Sequence, residues 1–220
     1  MKIIAGVYCH ALDECFLEVF SSRWKSLYPE IELIVLSDLD SPIITPDGYI
    51  TRPGHWAKKG PIAGGVVRDL HALGTEWNAD WILKLDVDCL HLNRDWLNGI
   101  GHDGILAVGM KHNWLKGAFI GAAYAVRLDA LASILDTPAP TLSEDTGIST
   151  MILNTHGSRA IRINPLCAGL TENAILDQFT TASIIHCGQL KLGEPDSRNY
   201  CASQMKRLHA ELTMQESRTA

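Results

Sequence analysis

The chain has 220 residues, of which 46% are hydrophobic and 20% are charged, and its formal net charge is −6. This composition is typical of a globular protein of about one domain, and it excludes collagen-like, coiled-coil and largely disordered chains. The acidic balance does not indicate nucleic acid as a partner, because sequence-independent duplex binding depends on many lysine and arginine contacts to phosphate.

The expected elements of the first half alternate between strands and helices. Continuous apolar runs predict strands that are buried on both faces, and apolar residues at helical spacing predict amphipathic helices. The expected order is a strand at 3–8, a helix at 11–27, a strand at 31–36, a short strand at 49–51, a helix at 61–73 and a strand at 81–87.

The second half continues the alternation with shorter elements. We expect strands at 105–110 and 118–126, helices at 127–135 and 144–155, further strands at 159–163 and 183–185, and a terminal helix at 200–212 with a frayed tail. The pattern predicts an α/β fold, in which a mainly parallel central sheet carries helices on both faces. In such sheets the ligand binds beyond the carboxyl ends of the strands.

The cysteines and the hydropathy indicate where the protein resides. None of the six cysteines forms a C-x-x-C pair, so we expect buried thiols in a reducing compartment. The apolar start predicts a first strand and not a secretory signal, and no run of about 18 apolar residues predicts a membrane span. We therefore expect a cytoplasmic protein.

Two aspartates end the strand expected at 81–87. Asp86 and Asp88 are two residues apart, so on an extended strand their side chains would point to the same side. Two carboxylates this close repel each other unless a cation lies nearby, and Mg²⁺ or Mn²⁺ would satisfy them and keep open positions for phosphate oxygens. The alternative is a strand-end turn with two solvated acids.

The segment 77–88 resembles the DxD region of the GT-A glycosyltransferases. The small-residue stretch 117–126 is similar to the stretch that lines the donor–acceptor cleft in that family, and 143–149 resembles its acidic helix start. The resemblance implies a GT-A-like, Rossmann-type sandwich in a single domain. Residues 1–110 would form its nucleotide-binding half, 111–199 its acceptor and catalytic half, and 200–220 a C-terminal helix and tail.

The resemblance also implies a metal-dependent hexosyltransferase-like enzyme that uses a UDP- or GDP-sugar and an acceptor that the sequence does not identify. Asp86, Asp88 and His186 would bind Mn²⁺ or Mg²⁺. His186 and Lys191 match a late H-x-x-G-x-x-K pattern of retaining members, although the spacing here is one residue shorter and the following Pro-Trp is missing. Lys191 would contact the diphosphate.

The acidic helix start offers candidates for the base that an inverting enzyme needs. Asp145 or Glu144 could take the proton of the acceptor hydroxyl. The alternative is structural, because acids favour helix N-termini and Ser143 has the character of an N-cap. The late histidine favours retention and the Glu-Asp pair favours inversion, so the stereochemistry stays open.

Further candidates lie in loops and at strand ends. The candidate donor-binding residues are basic side chains near the expected phosphate region or a residue after the first strand, namely His10, Arg52, Lys58, Lys59 and Lys84. The candidate acceptor-binding residues follow the strand at 105–110, namely His112, Asn113 and Trp114. Solvated loops are the alternative for both groups.

Two other functions remain open. A sugar-phosphate nucleotidylyltransferase shares the layered fold, but a glycine-rich basic loop usually follows its first strand, and Cys9-His10-Ala11 stands here instead. A non-catalytic nucleotide-sugar-binding module with a decayed site would show the same alternation of strands and helices.

Overall fold

The protein is described by a computed structural model. The structure describes residues 1–38, 50–54, 62–111, 118–164, 167–170, 174–190 and 195–219. Ten strands lie in these ranges, in chain order β1 Ile3–Cys9, β2 Glu32–Asp38, β3 Ile50–Gly54, β4 Trp81–Asp86, β5 Cys89–His91, β6 Ala107–Lys111, β7 Phe119–Arg127, β8 Ile161–Asn164, β9 Cys167–Gly169 and β10 Ile184–His186.

Seven of these strands form the central sheet, in the order β3-β2-β1-β4-β7-β6-β8. All neighbours in it are parallel except β7, which runs antiparallel to both β4 and β6. The prediction of a mainly parallel sheet is confirmed. The apolar character of β1 and of β4, which Lys84 interrupts, has its physical reason here, because both strands lie inside the sheet and are covered on both faces.

The helices lie on both faces of the sheet, as predicted. Their bounds are α1 Glu14–Leu27, α2 Ile62–Glu76, α3 Leu128–Ile134, α4 Glu144–His156 and α5 Pro195–Thr219. Apolar side chains of α1 and α5 share one core with Leu83 and Leu85 of β4. Those of α2, α3 and α4 share a second core, on the other face, with Ile82. None of the helices in the described ranges is both long enough and apolar enough to cross a membrane.

Alternation along β4 decides which residues of this strand meet which helices. Leu83 and Leu85 face α1 and α5. The residues that alternate with them along the strand face the opposite side, with α2 and α4. Lys84 and Asp86 therefore project toward α4. Beyond Asp86 the strand gives way to a turn, so Asp88 does not lie on the same extended strand as Asp86.

A second, three-stranded sheet lies beyond the end of β4, in the order β5-β10-β9. It was predicted only in part, because a strand was expected at 183–185 and β5 and β9 were not expected. In this sheet β10 runs antiparallel to β5 and places His186 opposite Cys89. The small sheet therefore brings a residue from the end of the chain to the end of β4.

Two local predictions are corrected. The terminal helix α5 starts at Pro195 and continues to Thr219, so the tail expected to be frayed is helical. Ser143 stands at the N-cap position of α4, but its side chain makes no capping hydrogen bond. Asp145 instead accepts a hydrogen bond from the backbone N–H of Thr146 within the first turn.

His91 lies in an aromatic cluster between β5 and α1. Its ring is edge-on to Phe20 and Trp24, with centroids 5.6 and 5.5 Å apart, and it is buried. Burial, with a smaller effect from the Arg23 charge, lowers the pKa of His91 to about 3. The imidazole is therefore neutral in the folded protein at neutral pH.

We expect this histidine to make the fold sensitive to acid. Its folded pKa lies below its ordinary value, so between about pH 6.5 and pH 3 only the unfolded chain takes up the proton, and stability falls as the pH falls. The expected loss reaches about 1.4 kcal/mol per pH unit in the free energy of unfolding, relative to His91→Phe. Urea denaturation of both proteins at pH 7, 6 and 5 measures the difference, and parallel pH profiles would contradict the prediction.

Candidate active site

The candidate site begins where β1 and β4 end side by side. Tyr8 of β1 is the register partner of Asp86 of β4, so the carboxyl ends of the two strands meet at one edge of the sheet. His10 follows β1, and its Nδ1 accepts a hydrogen bond of 3.1 Å from the backbone N–H of Leu12. This contact starts the short 3₁₀-helix Ala11–Asp13 and places His10 at the same edge as Asp86.

Asp88, Cys89 and His186 form a compact group at this edge. One potential ligand atom from each lies within 4.8 Å of the others, and His186 Nε2 is 3.5 Å from Asp88 Oδ1. The backbone fixes the arrangement, because Cys187 N–H donates to the carbonyl oxygen of Asp88 at 2.8 Å. The turn after β4 and the end of β10 are thus held together.

The donor atoms of this group fit a divalent cation of the Mn²⁺ class. Asp88 offers carboxylate oxygen and His186 offers imidazole nitrogen, which are ligands that such ions accept. Burial is the largest cause that raises the pKa of the Cys89 thiol well above its ordinary value, so this thiol stays protonated near neutral pH. Its Sγ donates a long hydrogen bond to the carbonyl oxygen of Ala122.

Asp86 pairs with Lys84 on the face of β4 that meets α4. The Lys84 ammonium lies 2.7 Å from Asp86 Oδ1, and the lysine side chain is only 3% exposed. Burial raises the pKa of Asp86 and the Asp88 charge adds to this, whereas the charges of Lys84 and His186 act in the other direction. The pKa of Asp86 therefore depends on both Lys84 and the Asp88–His186 group.

The acidic start of α4 lies against the same lysine. Glu144 Oε2 is 3.0 Å from Lys84 Nζ, and Glu144 Oε1 accepts a hydrogen bond from the Tyr124 hydroxyl. Burial raises the pKa of Glu144, although the charge of Lys84 opposes the shift. Asp145 accepts a hydrogen bond of 2.8 Å from the backbone N–H of Gly121.

Gly121 of β7 lies beside the start of α4. A Cβ atom at Gly121 would lie 3.5 to 3.6 Å from atoms of the Asp145 and Glu144 side chains, which is an ordinary contact distance. The small-residue stretch of β7 therefore adjoins the acidic start of α4. The structure brings together Lys84, Asp86, Glu144 and Asp145 at one end of the sheet and Asp88 with His186 next to them.

The other predicted residues fall into two groups. Arg52 is 41% exposed and pairs with Glu76 at 2.5 Å, which places it on the surface between β3 and α2. The remaining candidates lie outside the described residues, namely Lys58, Lys59, His112, Asn113, Trp114 and Lys191.

Sequence reasoning missed two contributors to this site and gave a third one a different role. It named Lys84 as a donor-binding candidate, whereas the structure places its ammonium beneath Asp86 and Glu144. It did not single out Tyr8 or Tyr124, whose rings lie 5.7 Å from the Lys84 ammonium. The available signal was the i, i+2 spacing of Lys84 and Asp86, which puts both side chains on one face of a strand.

A separate cavity of about 620 Å³ lies at the opposite edge of the sheet, where β4 begins and β7 ends. Its lining includes Asp80, His102 and Arg127 and none of the residues of the Asp88 group. Ligands of α/β sheets bind beyond the carboxyl ends of parallel strands, so the edge with Asp88 is the stronger candidate.

No family model matches the sequence, and no curated protein matches it either. Solved structures do match the fold. A glycosyltransferase involved in the glycosylation of the major capsid of PBCV-1 is 12% identical, with a TM-score of 0.58 over 94% of this chain and 100% of that one. The galactosyltransferase LgtC, solved in complex with donor and acceptor sugar analogues, is 13% identical, with a TM-score of 0.51 over 96% of each chain.

A cytidylyltransferase from Leptospira borgpetersenii matches a smaller part of the chain. It is 12% identical, with a TM-score of 0.53 over 75% of this chain and 76% of that one. The two glycosyltransferases match almost the whole chain. The protein therefore has the fold of the GT-A glycosyltransferases.

Proposed function

We propose that the protein is a metal-dependent glycosyltransferase that moves a sugar from a UDP- or GDP-sugar to an acceptor hydroxyl. The observation that carries the proposal is the 3.5 Å approach of His186 Nε2 to Asp88 Oδ1 beyond the carboxyl end of β4. This is the edge of the sheet where α/β proteins bind nucleotides. The likeness to LgtC, which was solved with donor and acceptor sugar analogues, supports it.

Asp88 and His186 would hold the cation, and Asp86 lies next to them. A sugar nucleotide leaves as a nucleoside diphosphate, and a bound Mn²⁺ or Mg²⁺ supplies positive charge for that leaving group. The two side chains come from distant parts of the chain and are joined through the Cys187–Asp88 backbone hydrogen bond. This bond fixes the oxygen and nitrogen ligands relative to each other before the donor binds.

For an inverting reaction, Glu144 and Asp145 are both candidates for the base, and both Glu144 oxygens are engaged, one by Lys84 and the other by the Tyr124 hydroxyl. The Glu144 side chain is 16% exposed, and its partial burial raises the pKa of the carboxyl, which brings it nearer to the operating pH of a proton acceptor. Both Asp145 oxygens accept backbone hydrogen bonds, from Gly121 and Thr146, so Asp145 orients the start of α4 toward β7. A retaining reaction remains the alternative.

The loops would complete the substrate sites. We propose that Lys58, Lys59 and Lys191 contact the donor phosphates, together with His10 at the edge of the sheet and Arg52 of β3. The acceptor would meet His112, Asn113 and Trp114, because aromatic and amide side chains suit the faces and edges of sugars.

A thermal-shift panel tests the proposal. UDP, GDP and their sugar conjugates are added to the protein with and without Mn²⁺, and the melting temperature is recorded. A ligand that binds only the folded state raises the melting temperature. At a ligand concentration one hundred times the dissociation constant, the free energy of unfolding increases by about 2.7 kcal/mol. We expect at least one nucleoside diphosphate, or its sugar conjugate, to stabilise the protein only when Mn²⁺ is present. The absence of metal-dependent stabilisation by every nucleotide would contradict the proposal.

Replacement of His186 tests the cation site separately. We expect His186→Ala to weaken Mn²⁺ binding by at least about tenfold, because one nitrogen ligand is lost and Asp88 alone holds the ion less tightly. Free Mn²⁺ is measured by electron paramagnetic resonance during a titration. His102→Ala is the matched control, since His102 is exposed at the opposite edge of the sheet. Equal Mn²⁺ affinity of the two variants would contradict the proposed role of His186 as a ligand of the cation.

Nucleotidyl transfer to a sugar phosphate is the second candidate, and the fold likeness to a cytidylyltransferase favours it. It would release pyrophosphate from a nucleoside triphosphate, whereas glycosyl transfer releases a nucleoside diphosphate. Assaying both products with the same preparation separates the two reactions.

A further inference from the structure

Lys84 is a buried cation whose donors are all engaged. Its side chain is 3% exposed and projects from β4 toward α4, on the face opposite to Leu83 and Leu85. The ammonium is 2.6 Å from the carbonyl oxygen of Gly121, 2.7 Å from Asp86 Oδ1 and 3.0 Å from Glu144 Oε2. A lysine ammonium has three N–H donors, so these three acceptors use its full capacity.

The three acceptors belong to three elements of the fold. Asp86 ends β4, Gly121 lies in β7 and Glu144 begins α4. The rings of Tyr8 and Tyr124 each lie 5.7 Å from the ammonium and close the space around it. Lys84 is therefore held in one position, and it joins the strand that leads to Asp88 to the helix that carries the candidate base.

The same lysine counts in the charge balance of the cation site. Asp86, Asp88 and Glu144 bring three carboxyl groups to one end of the sheet, and Lys84 contacts two of them. Asp88 lies beyond the turn that follows Asp86, and its Oδ1 is 3.5 Å from His186 Nε2. A dication bound by Asp88 and His186 would lie near Asp86 and Glu144, whose negative charge is partly neutralised by Lys84.

We propose that Lys84 is a positioning residue of the transfer site, which fixes Asp86 and Glu144 relative to each other and reduces the negative charge that acts on the cation held by Asp88 and His186. The inference rests on the proposed function. It predicts two effects of opposite direction when the lysine is removed: the cation binds more tightly, and the reaction slows because the two acids are no longer held in place.

The test compares wild type with Lys84→Met. Mn²⁺ binding is measured by electron paramagnetic resonance, and kcat is measured at saturating Mn²⁺ and donor. We expect the Mn²⁺ dissociation constant to fall at least about threefold and kcat to fall at least about tenfold, since electrostatic and positional effects of this size are common at such sites. A purely structural role would instead weaken cation binding along with activity.

Lys84→Met leaves two carboxylates without their cation, so a second pair of variants is included. Lys84→Met/Glu144→Gln is compared with Glu144→Gln for Mn²⁺ binding alone, and the double variant should again bind the ion more tightly. Unchanged or weaker Mn²⁺ binding in a folded Lys84 variant would overturn the inference and leave the proposed function standing. Failure of both Lys84 variants to fold would assign Lys84 to stability alone and also overturn it. A wild-type protein that binds no Mn²⁺ would overturn the metal site itself.

Discussion

Asp88→Asn is expected to lower kcat for sugar transfer by at least about a thousandfold with the fold intact. The substitution preserves the shape of the side chain and removes the negative charge that faces the cation, and a loss of about 4 kcal/mol of transition-state stabilisation corresponds to that factor. Release of nucleoside diphosphate from the donor, measured in the presence of Mn²⁺, gives the rate. The melting temperature of the variant should stay close to that of the wild type.

Asp103→Asn is the matched control for this experiment. Asp103 is exposed in the segment before β6, and the change of charge is the same. It should leave kcat unchanged within about twofold, because surface substitutions away from a site have small effects. Equal activities of the two variants would contradict the role of Asp88. A wild type that binds the donor but neither transfers nor hydrolyses the sugar would point to the non-catalytic binding module.

Lys84→Met is expected to reduce the free energy of unfolding by about 3–5 kcal/mol, because removing one partner of a buried ion pair leaves the other charge without compensation. Here two carboxylates lose the same cation, since Lys84 contacts both Asp86 and Glu144. Urea denaturation at neutral pH measures the loss. Adding Glu144→Gln to Lys84→Met should recover part of the lost stability, because one of the two carboxylate charges that Lys84 no longer compensates is then removed.

Lys206→Met is the comparison for the same chemical change on the surface. Lys206 is 54% exposed and pairs with Glu18 at 3.4 Å, and exposed pairs contribute about 0–1 kcal/mol. Its free energy of unfolding should stay within about 1 kcal/mol of wild type. A Lys84→Met protein as stable as Lys206→Met would show that the Lys84 ammonium does not compensate the charges of Asp86 and Glu144.

Much of the fold follows from local patterns in the sequence. The apolar runs of β1, β2 and β4 and the helical spacing in α1 predicted elements that the structure contains, because long buried elements leave strong periodic signals. The strands β5 and β9 have three residues each and leave no such signal. They form because β10 pairs between them, which is a contact between distant parts of the chain.

The roles of the candidate site residues stay predictions, and their geometry followed only in part from the sequence. Asp86, Asp88, Glu144, Asp145 and His186 were each named from sequence, and the structure places them near one end of the sheet. The sequence left open whether Asp86 and Asp88 share one strand or end it in a turn, and the structure has the strand ending at Asp86. The partners of Lys84 depend on how α4 packs against β7, and no local pattern specifies that contact. The division of the chain into donor and acceptor halves stays a prediction.

The most direct test of the cation site is a crystal of the protein with UDP or GDP and Mn²⁺, examined by anomalous diffraction at the manganese edge. The proposed function predicts a manganese peak within bonding distance of Asp88 and His186, with the diphosphate on its open side. Manganese bound elsewhere, or a nucleotide bound with no ion beside Asp88, would contradict it.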